Sequence, residues 1–416
     1  MSYLKYWIWL STTSGVGPVI ASRLIEHFGS PENVYNADAS RYREARDVMS
    51  ANFHELSKKS LDGANRILAK CQQLNYQVIS LQDAEYPERL RNIYDPPLVL
   101  YARGKLPAID EEAAVAIVGT RDCTPYGIMS AENIGFLLAQ RGLLVVTGLA
   151  KGIDTAAARG ALRGGGRVVG VIGSGIDVVY PLKNAQLFDD VAGAGAIVSE
   201  YPPGTPAYRS NFPARNRIIS GLSLGVTVIE APIRSGALIT ATRALEQGRD
   251  VFTLPGNVDM RSCEGSNLLL REGAIPILSG EDIVSEYAEL FPDKIHDNTN
   301  GDTCDTVAGG GEYRTNSNFS MKKDQRNSIK SKKNDKIEID NKTAVDYIDL
   351  SIILSALTGD EKTVAETIGA AVMHVDDITI NSGLSTSQTL TALTMLEIGG
   401  FIEREGYGKW KISKNT

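Results

Sequence analysis

The sequence predicts an α/β protein built on a doubly wound, mostly parallel sheet. Between Ala113 and Leu254, short apolar runs rich in β-branched residues alternate with longer segments of helical periodicity. The runs are apolar at every position rather than at alternate positions, as expected for strands buried on both faces. The predicted strands are 115–118, 143–146, 168–172, 196–198, 225–229 and 251–254. The predicted helices between them are 126–141, 154–163, 184–192, 212–222 and 236–247.

Residues 1–80 are predicted to form a separate helical domain. A Gly-Val-Gly-Pro turn ending at Pro18 precedes apolar residues at helical spacing as far as Phe28, which is typical of a helix-hairpin-helix or sterile-alpha-motif bundle. Such a turn either binds DNA phosphates or simply joins two packed helices. Arg23 is the nearby cation, so the second interpretation is favoured. Residues 81–292 are then the sheet domain, with 81–112 as its connector.

The C-terminal part of the chain is predicted to contain a linker and a small domain. Residues 293–343 are polar and almost free of aliphatic side chains, so they predict a disordered linker. Residues 344–416 show helical patterns followed by a hairpin pattern, which together predict a winged helix. Its recognition helix, 385–398, begins with a Ser-x-x-Gln capping box and contains neither Lys nor Arg. Because reading a DNA groove needs a cationic face, a protein-contact or structural role is favoured.

Composition limits the class of protein. The 416 residues suggest two or three domains, and 43% hydrophobic with 22% charged residues is typical of a soluble chain. We expect a cytoplasmic protein, since there is no apolar run of membrane-spanning length and the YWIWL segment is too short for a signal peptide. Four scattered cysteines predict free thiols and no metal site. The net charge of −7 does not favour a nucleic-acid partner, although the placement of cations matters more.

Glycines and polar residues follow five of the predicted strands. Ligands of open α/β sheets bind at the carboxyl ends of the strands, so these positions predict one shared binding edge. Glutamate also appears twice at these exits, at Glu200 and Glu230. The exit residues assigned to the site are Gly119, Thr120, Arg121, Lys151, Gly173, Ser174, Ser235 and Gly236.

The segment 199–240 supplies the rest of the predicted site. We interpret it as a loop carrying four notable side chains, followed by a buried strand and a Ser-Gly helix start. Guanidinium groups bind phosphate oxygens in pairs, a helix N-terminus offers free N–H groups, and an aromatic face stacks a base. The loop side chains are Arg209, Phe212, Arg215 and Arg217.

Few residues in this pattern are suited to catalysis. The phosphate-loop, nucleophile-elbow and zinc-protease motifs are absent, and Val178 replaces the third glycine of a dinucleotide fingerprint. None of the four histidines lies near a strand exit. Asp154 is interpreted as a helix N-cap and Glu230 as the partner of a loop arginine. We therefore expect a protein that is not an enzyme and holds no cofactor or metal.

Several ordered motifs resemble the DNA-processing DprA (Smf) family. They include IVGTR, TGLAKGID, GSGIDVVYP, SEYPPG, FPARNRIISGLS and EAPIRSGALITA, and the resemblance covers about 86–290. It implies an extended Rossmann-like domain that binds single-stranded DNA as a homodimer and loads RecA recombinase during natural transformation. It also implies that Asn216 belongs to the site, with Arg121, Arg209, Phe212, Arg215, Arg217 and the two glycine-serine turns. No membrane partner is implied.

Further expectations concern the roles of the site residues and of the winged helix. Arg121, Arg209, Arg215 and Arg217 should contact phosphates, whereas Phe212 should stack a base, the alternative being a core residue that anchors its loop. Because helix 385–398 lacks cations, a chain ending near Asp293 should bind DNA about as well as the whole protein. The alternative is a nucleotide sensor or a nucleotide hydrolase related to the lysine-decarboxylase-like family. The comparable stretch here, 255–259, lacks the catalytic glutamate of those hydrolases.

Overall fold

The computed structural model describes residues 3–45, 53–296, 359–368, 373–398, 401–404 and 409–412. The chain divides into two units, Met1–Val307 and Ala308–Thr416. Nearly all of the predicted linker, and the helical pattern at 344–357, lie outside the described residues. None of the described helices combines the length and the apolar character that a membrane span requires.

The first unit alternates helices and strands through most of its length. Its helices are α1 Leu4–Thr12, α2 Pro18–Phe28, α3 Pro31–Asn36, α4 Phe53–Ser57, α5 Asp62–Gln73, α6 Glu88–Arg91, α7 Pro125–Gln140, α8 Ile153–Arg163, α9 Ala185–Ala194, α10 Asn211–Leu222, α11 Gly236–Glu246, α12 Glu264–Arg271 and α13 Gly280–Tyr287. Its strands are β1 Gln77–Ser80, β2 Val99–Gly104, β3 Ala114–Val118, β4 Leu144–Thr147, β5 Val168–Val171, β6 Ala196–Ser199, β7 Gly225–Val228, β8 Asp250–Thr253 and β9 Ile275–Pro276.

These strands form one mostly parallel sheet in the order β1-β2-β6-β5-β4-β3-β7-β8-β9. The six predicted strands are confirmed as β3 to β8, and all of their mutual pairings are parallel. β2 runs antiparallel to β6, and β1 runs antiparallel to β2. The wholly helical prediction for 1–80 is therefore wrong at Gln77–Ser80. This strand pairs on one side only and is buried over two residues, so its apolar pattern is too short to identify it.

Helices cover the sheet on both faces and create two apolar layers. One layer joins α7, α8 and α9 to the N-terminal helices, and it includes Trp7, Leu138, Ala157 and Phe188. The other lies under α6, α10 and α11 and includes Leu90, Ile218 and Ala241. β3 and β4 are buried at every position, which explains why their sequences are continuously apolar.

The second unit contains three helices and a small antiparallel sheet among its described residues. The helices are α14 Gly359–Ile368, α15 Val375–Ser382 and α16 Thr386–Ile398, and the strands are β10 Met373–His374, β11 Ile402–Arg404 and β12 Lys409–Ile412. The strand order is β10-β12-β11. Val364, Ile378, Leu393 and Trp410 form the core of this unit. The winged helix predicted for this part of the chain is confirmed.

Candidate nucleic-acid interface

An open cavity of about 600 Å³ lies at the carboxyl edge of the sheet, and we call it the first cavity. β3 lies between β4 and β7, so the chain connections leave it in opposite directions and open a crevice at this point. The lining comes from the exit of β3, the start of α8, the loop after β5, and the first turns of α10 and α11. It comprises Val118, Gly119, Thr120, Arg121, Ala150, Asp154, Tyr180, Ala207, Arg209, Phe212, Pro213, Arg215, Asn216, Ile219, Pro232, Arg234, Ser235, Gly236, Ala237 and Thr240.

Phe212, Arg215 and Arg217 lie at the beginning of α10, in agreement with the helix predicted for 212–222, and of the four side chains assigned to a loop only Arg209 precedes the helix. Ser210, which precedes the helix, already has helical backbone angles, and the side-chain Nδ2 of Asn211 donates a hydrogen bond to the Gly173 carbonyl at 3.0 Å. In a helix, residues three and four apart share a face. Phe212, Arg215 and Asn216 consequently line the first cavity, while Arg217 points away from it.

Three exposed guanidinium groups belong to the wall of the first cavity. They are those of Arg121, Arg209 and Arg234. None of the three forms an ion pair with a carboxylate within the described part of the chain. Arg234 was not among the predicted site residues, although it directly precedes the predicted Ser235-Gly236 helix start. The first cavity therefore carries cations whose charge is not already neutralised by the protein.

The N-terminal end of α11 lies beside these cations. Ser235 is the N-cap, and its hydroxyl accepts a hydrogen bond from the Ala237 backbone N–H at 3.2 Å. Gly236 is exposed, and a side chain added there would meet no atom within 4 Å. A ligand therefore has room to approach the backbone at this end of the helix. An anion bound there would gain from the helix dipole as well as from the guanidinium groups.

Two aromatic rings line the first cavity among the described residues, Phe212 and Tyr180. Their centroids are 5.5 Å apart with a 46° angle between the ring planes. The Arg121 guanidinium carbon lies 5.1 Å from the Phe212 centroid. Phe212, which the sequence assigned to the site, lies in this lining, whereas Tyr180 was not among the predicted site residues. It belongs to the GSGIDVVYP motif, but nothing in its spacing distinguished it from a turn residue.

Arg215 lines the first cavity, but its guanidinium group is not free to contact a phosphate as the sequence suggested. Its side chain is buried, and Nη1 donates to the backbone carbonyls of Gly148, at 2.8 Å, and of Val171. Burial lowers the pKa of Arg215 to about 10, while the charge of nearby Asp154 opposes the change. The predicted phosphate contact is therefore replaced by a structural role, in which Arg215 ties α10 to the ends of two strands.

The phosphate contact predicted for Arg217 is wrong for a different reason. Its side chain is 5% exposed, and the guanidinium group binds both carboxylate oxygens of Glu200, with N–O distances of 2.8 and 2.7 Å. Asp95 lies 3.1 Å from its Nε. Burial opposes the charge, but these carboxylates hold the pKa of Arg217 above its ordinary value. This network lines a second cavity of about 560 Å³, which also contains Arg243.

The remaining predicted site residues divide into two groups. Gly119, Thr120 and Asn216 line the first cavity, and Asn216 donates to the Gly236 carbonyl at 3.1 Å. Lys151, Gly173 and Ser174 are outside its lining, so their predicted contact with the ligand is not supported. Lys151 pairs with Asp122 at 2.6 Å, Gly173 packs behind Phe212, and the Ser174 hydroxyl donates to the Val178 carbonyl at 2.8 Å.

Two carboxylates at the strand exits have structural partners that differ from the predicted ones. Gly152, not Asp154, is the N-cap of α8, and Asp154 accepts a long hydrogen bond from the Ala150 backbone N–H at 3.4 Å. Burial raises the pKa of Asp154, against the opposing charge of Arg215. Glu230 pairs with no arginine in the described structure. It accepts hydrogen bonds from the backbone N–H and the hydroxyl of Thr124, each at 3.0 Å, where α7 begins.

Comparisons with known proteins agree with this architecture. The family model described as DNA recombination-mediator protein A matches residues 77–288, and the one described as DprA winged helix domain matches residues 354–406. A Synechocystis protein named Protein Smf is 40% identical over 293 residues, covering 68% of this chain and 73% of that protein. The DNA processing protein DprA of Streptococcus pneumoniae is 45% identical over 208 residues, covering 50% of this chain and 73% of that protein.

A solved structure extends the comparison to the fold. The X-ray structure of DNA processing protein A from Streptococcus pneumoniae superposes with a TM-score of 0.60 and 36% sequence identity. The match covers 68% of this chain and 97% of the other. Both the sheet domain and the arrangement of its flanking helices are thus shared with a protein of this kind.

Proposed function

The chain belongs to the DNA recombination-mediator protein A family of DNA-processing proteins, and from this premise we propose that its first cavity binds single-stranded DNA and that the protein delivers the strand to RecA recombinase. The observation that carries the proposal is the convergence of Arg121, Arg209 and Arg234 on one cavity. Each guanidinium is exposed and has no carboxylate partner in the described structure. A phosphodiester backbone would supply the missing counter-charges.

Single-stranded rather than duplex DNA fits the cavity for a physical reason. The bases of a duplex are stacked on one another, whereas a single strand exposes their faces to aromatic side chains. Here an aromatic pair, Tyr180 and Phe212, stands beside the cations. Backbone charge and base faces are common to all sequences, so this combination favours binding without sequence preference.

We further propose that the protein acts on DNA without catalysing a reaction. Two buried carboxylates at the strand exits already have partners: Asp154 accepts from the Ala150 backbone N–H, and Glu230 accepts from the backbone N–H and the hydroxyl of Thr124. No histidine is part of the lining within the described residues. A general acid or base would need a side chain within hydrogen-bond reach of the reacting atom, and none stands out. Release of base or phosphate from a nucleotide would contradict this proposal.

Delivery to RecA and self-association complete the proposal. A mediator must hold a strand firmly yet release it to the recombinase, and contacts to backbone and base faces allow the strand to slide and exchange. The proposed homodimer would place two such cavities along one strand. Linking two sites strengthens binding through effective concentration without any new kind of contact.

The decisive test of DNA binding compares three ligands at several salt concentrations. We expect the full-length protein to bind a labelled oligothymidylate more tightly than a duplex of equal length, and far more tightly than thymidine monophosphate. The combined variant Arg121→Ala, Arg209→Ala, Arg234→Ala should lose this binding. Arg159→Ala is the matched control, because this exposed arginine of α8 lies outside the first cavity.

A mononucleotide that occupies the cavity as tightly as the oligonucleotide would favour the nucleotide-sensor alternative instead. For the recombinase, a nuclease footprint of the protein on single-stranded DNA should be replaced by that of RecA when RecA is added. A footprint that RecA never replaces would contradict the proposed delivery while leaving DNA binding intact.

A further inference from the structure

We propose that Tyr180 is the residue on which a DNA base stacks in the first cavity, and that Phe212 supports Tyr180 and Arg121 instead of meeting the base directly. This inference rests on the proposed binding of single-stranded DNA and assigns one contact within it. The sequence had assigned base stacking to Phe212.

The surroundings of Phe212 leave little of its ring for a ligand. The Arg121 guanidinium carbon lies 5.1 Å from the ring centroid, and the Tyr180 ring lies at 5.5 Å on a tilted plane. Behind it, the ring comes so close to Gly173 that a Cβ there would be 3.3 Å from the ring carbon Cδ1. Phe212 is accordingly half-buried. Stacking needs an open aromatic face, and the neighbours of Phe212 already use much of its surface.

Tyr180 has the exposure that Phe212 lacks. It is 47% exposed and lines the same cavity, on the loop that follows β5. Several hydrogen bonds hold that loop in place: among them, the Ser174 hydroxyl donates to the Val178 carbonyl, and the Gly175 N–H donates to the Thr205 carbonyl at 2.8 Å. A ring on an anchored loop offers a stacking surface at a small cost in side-chain entropy.

The charges around the cavity fix which part of a nucleotide would meet this ring. The exposed cations are Arg121, Arg209 and Arg234, whereas the carboxylate among the lining residues, that of Asp154, is buried. A phosphate is attracted to the exposed arginines and repelled by an ionised Asp154. The backbone therefore follows these arginines, and a base can turn from it onto the exposed ring of Tyr180 in the same cavity.

The test combines a change in the protein with a change in the DNA. Wild type, Tyr180→Ala and Tyr180→Phe are titrated with labelled oligothymidylate and with an oligonucleotide of equal length whose sugars carry no bases. Tyr94→Ala is the matched control, because Tyr94 is 80% exposed and outside both cavities. Thermal melting is recorded for each variant to verify that it is folded.

We expect Tyr180→Ala to bind oligothymidylate about 5- to 150-fold more weakly than wild type, the range that follows from losing one base–aromatic stack. Its binding to the abasic strand should be unchanged, and so should the dependence of its affinity on salt. Tyr180→Phe should behave like wild type because it keeps the ring, and Tyr94→Ala should show no effect.

Two results would overturn the assignment. If Tyr180→Ala binds oligothymidylate like wild type, the base stacks elsewhere. If it loses affinity equally for both strands, Tyr180 positions the loop and does not meet a base. A wild type that binds neither strand would instead reject the proposed function itself, and the stacking assignment with it.

Discussion

The two cavities on either side of α10 contain the same side-chain type in opposite states. In the first cavity, Arg121, Arg209 and Arg234 are exposed and have no carboxylate partner in the described structure. In the second cavity, the Arg217 guanidinium is buried between Glu200 and Asp95. The first surface is therefore suited to an external anion, and the second is already neutralised from within.

The difference shows that burial decides what an arginine does. A buried charge is costly unless it is paired and hydrogen-bonded, so a guanidinium in the interior acquires partners as the chain folds. An exposed guanidinium keeps its water and remains available for a ligand. Arg215 shows that burial matters more than location. It lines the first cavity, yet it is buried and bound to two backbone carbonyls.

The largest expected effect comes from breaking the ion pairs of the second cavity. Arg217→Ala would leave the Glu200 carboxylate without its partner in a mostly buried position, so the free energy of unfolding should fall by about 3–5 kcal/mol. Denaturant titration measures this loss. The double variant Arg217→Met with Glu200→Gln removes both charges and should be less destabilised than Arg217→Ala. A single variant as stable as wild type would show that the network is not structural.

Arg215→Ala should give the next largest effect on stability. It would leave the Gly148 and Val171 carbonyls without their donor, and we expect a loss of about 2–4 kcal/mol in the free energy of unfolding. Below its melting temperature, the variant should keep the wild-type dependence of DNA affinity on salt. A less negative salt slope with normal stability would instead restore the phosphate contact suggested by the sequence.

Substitutions of the exposed arginines in the first cavity should weaken DNA binding and leave stability nearly unchanged. Single alanine substitutions of Arg121, Arg209 or Arg234 should weaken DNA binding by roughly tenfold at low salt, as expected for a lost charge-assisted contact. Each should make the slope of log affinity against log salt less negative by about 0.7. Their free energies of unfolding should change by less than about 0.5 kcal/mol.

Lys151→Ala is the matched control for this series, since Lys151 is paired with Asp122 and lies outside the cavity lining. Its salt slope should equal that of wild type. If Lys151→Ala changed the salt slope as much as the arginine variants do, the DNA-binding surface would extend beyond the first cavity.

The smallest expected effect is a pH dependence of stability that arises in the second cavity. Burial raises the pKa of Asp95, although the charges of Arg217 and Arg243 oppose this. The native state then binds the proton more tightly than the unfolded state, so stability should decline slightly as the pH rises from the ordinary aspartate pKa through the raised value. Denaturant titrations at a series of acidic pH values measure this decline. Asp95→Asn should remove this component, and a variant with the wild-type pH profile would assign the dependence to another group.

The sequence by itself determined the central sheet and the location of the site. Strands buried on both faces are continuously apolar, so the local pattern was enough to predict β3 to β8. Because parallel strands end at one edge, the polar residues after them had to meet there, and Gly119, Arg121 and Ser235 do so. The short edge strand β1 was missed because two buried positions form no recognisable period.

Only the tertiary structure decided which of the arginines are exposed in the first cavity and which are buried with partners. Arg215 and Arg217 are neighbours in one motif, but the residues that engage them are remote in sequence: Gly148 is 67 residues from Arg215, and Asp95 is 122 residues from Arg217. The same holds for Tyr180, which meets Phe212 only when the loop after β5 folds against α10. Charge neutralisation and ring exposure depend on what surrounds a side chain in space, and a linear pattern contains no information on those distances.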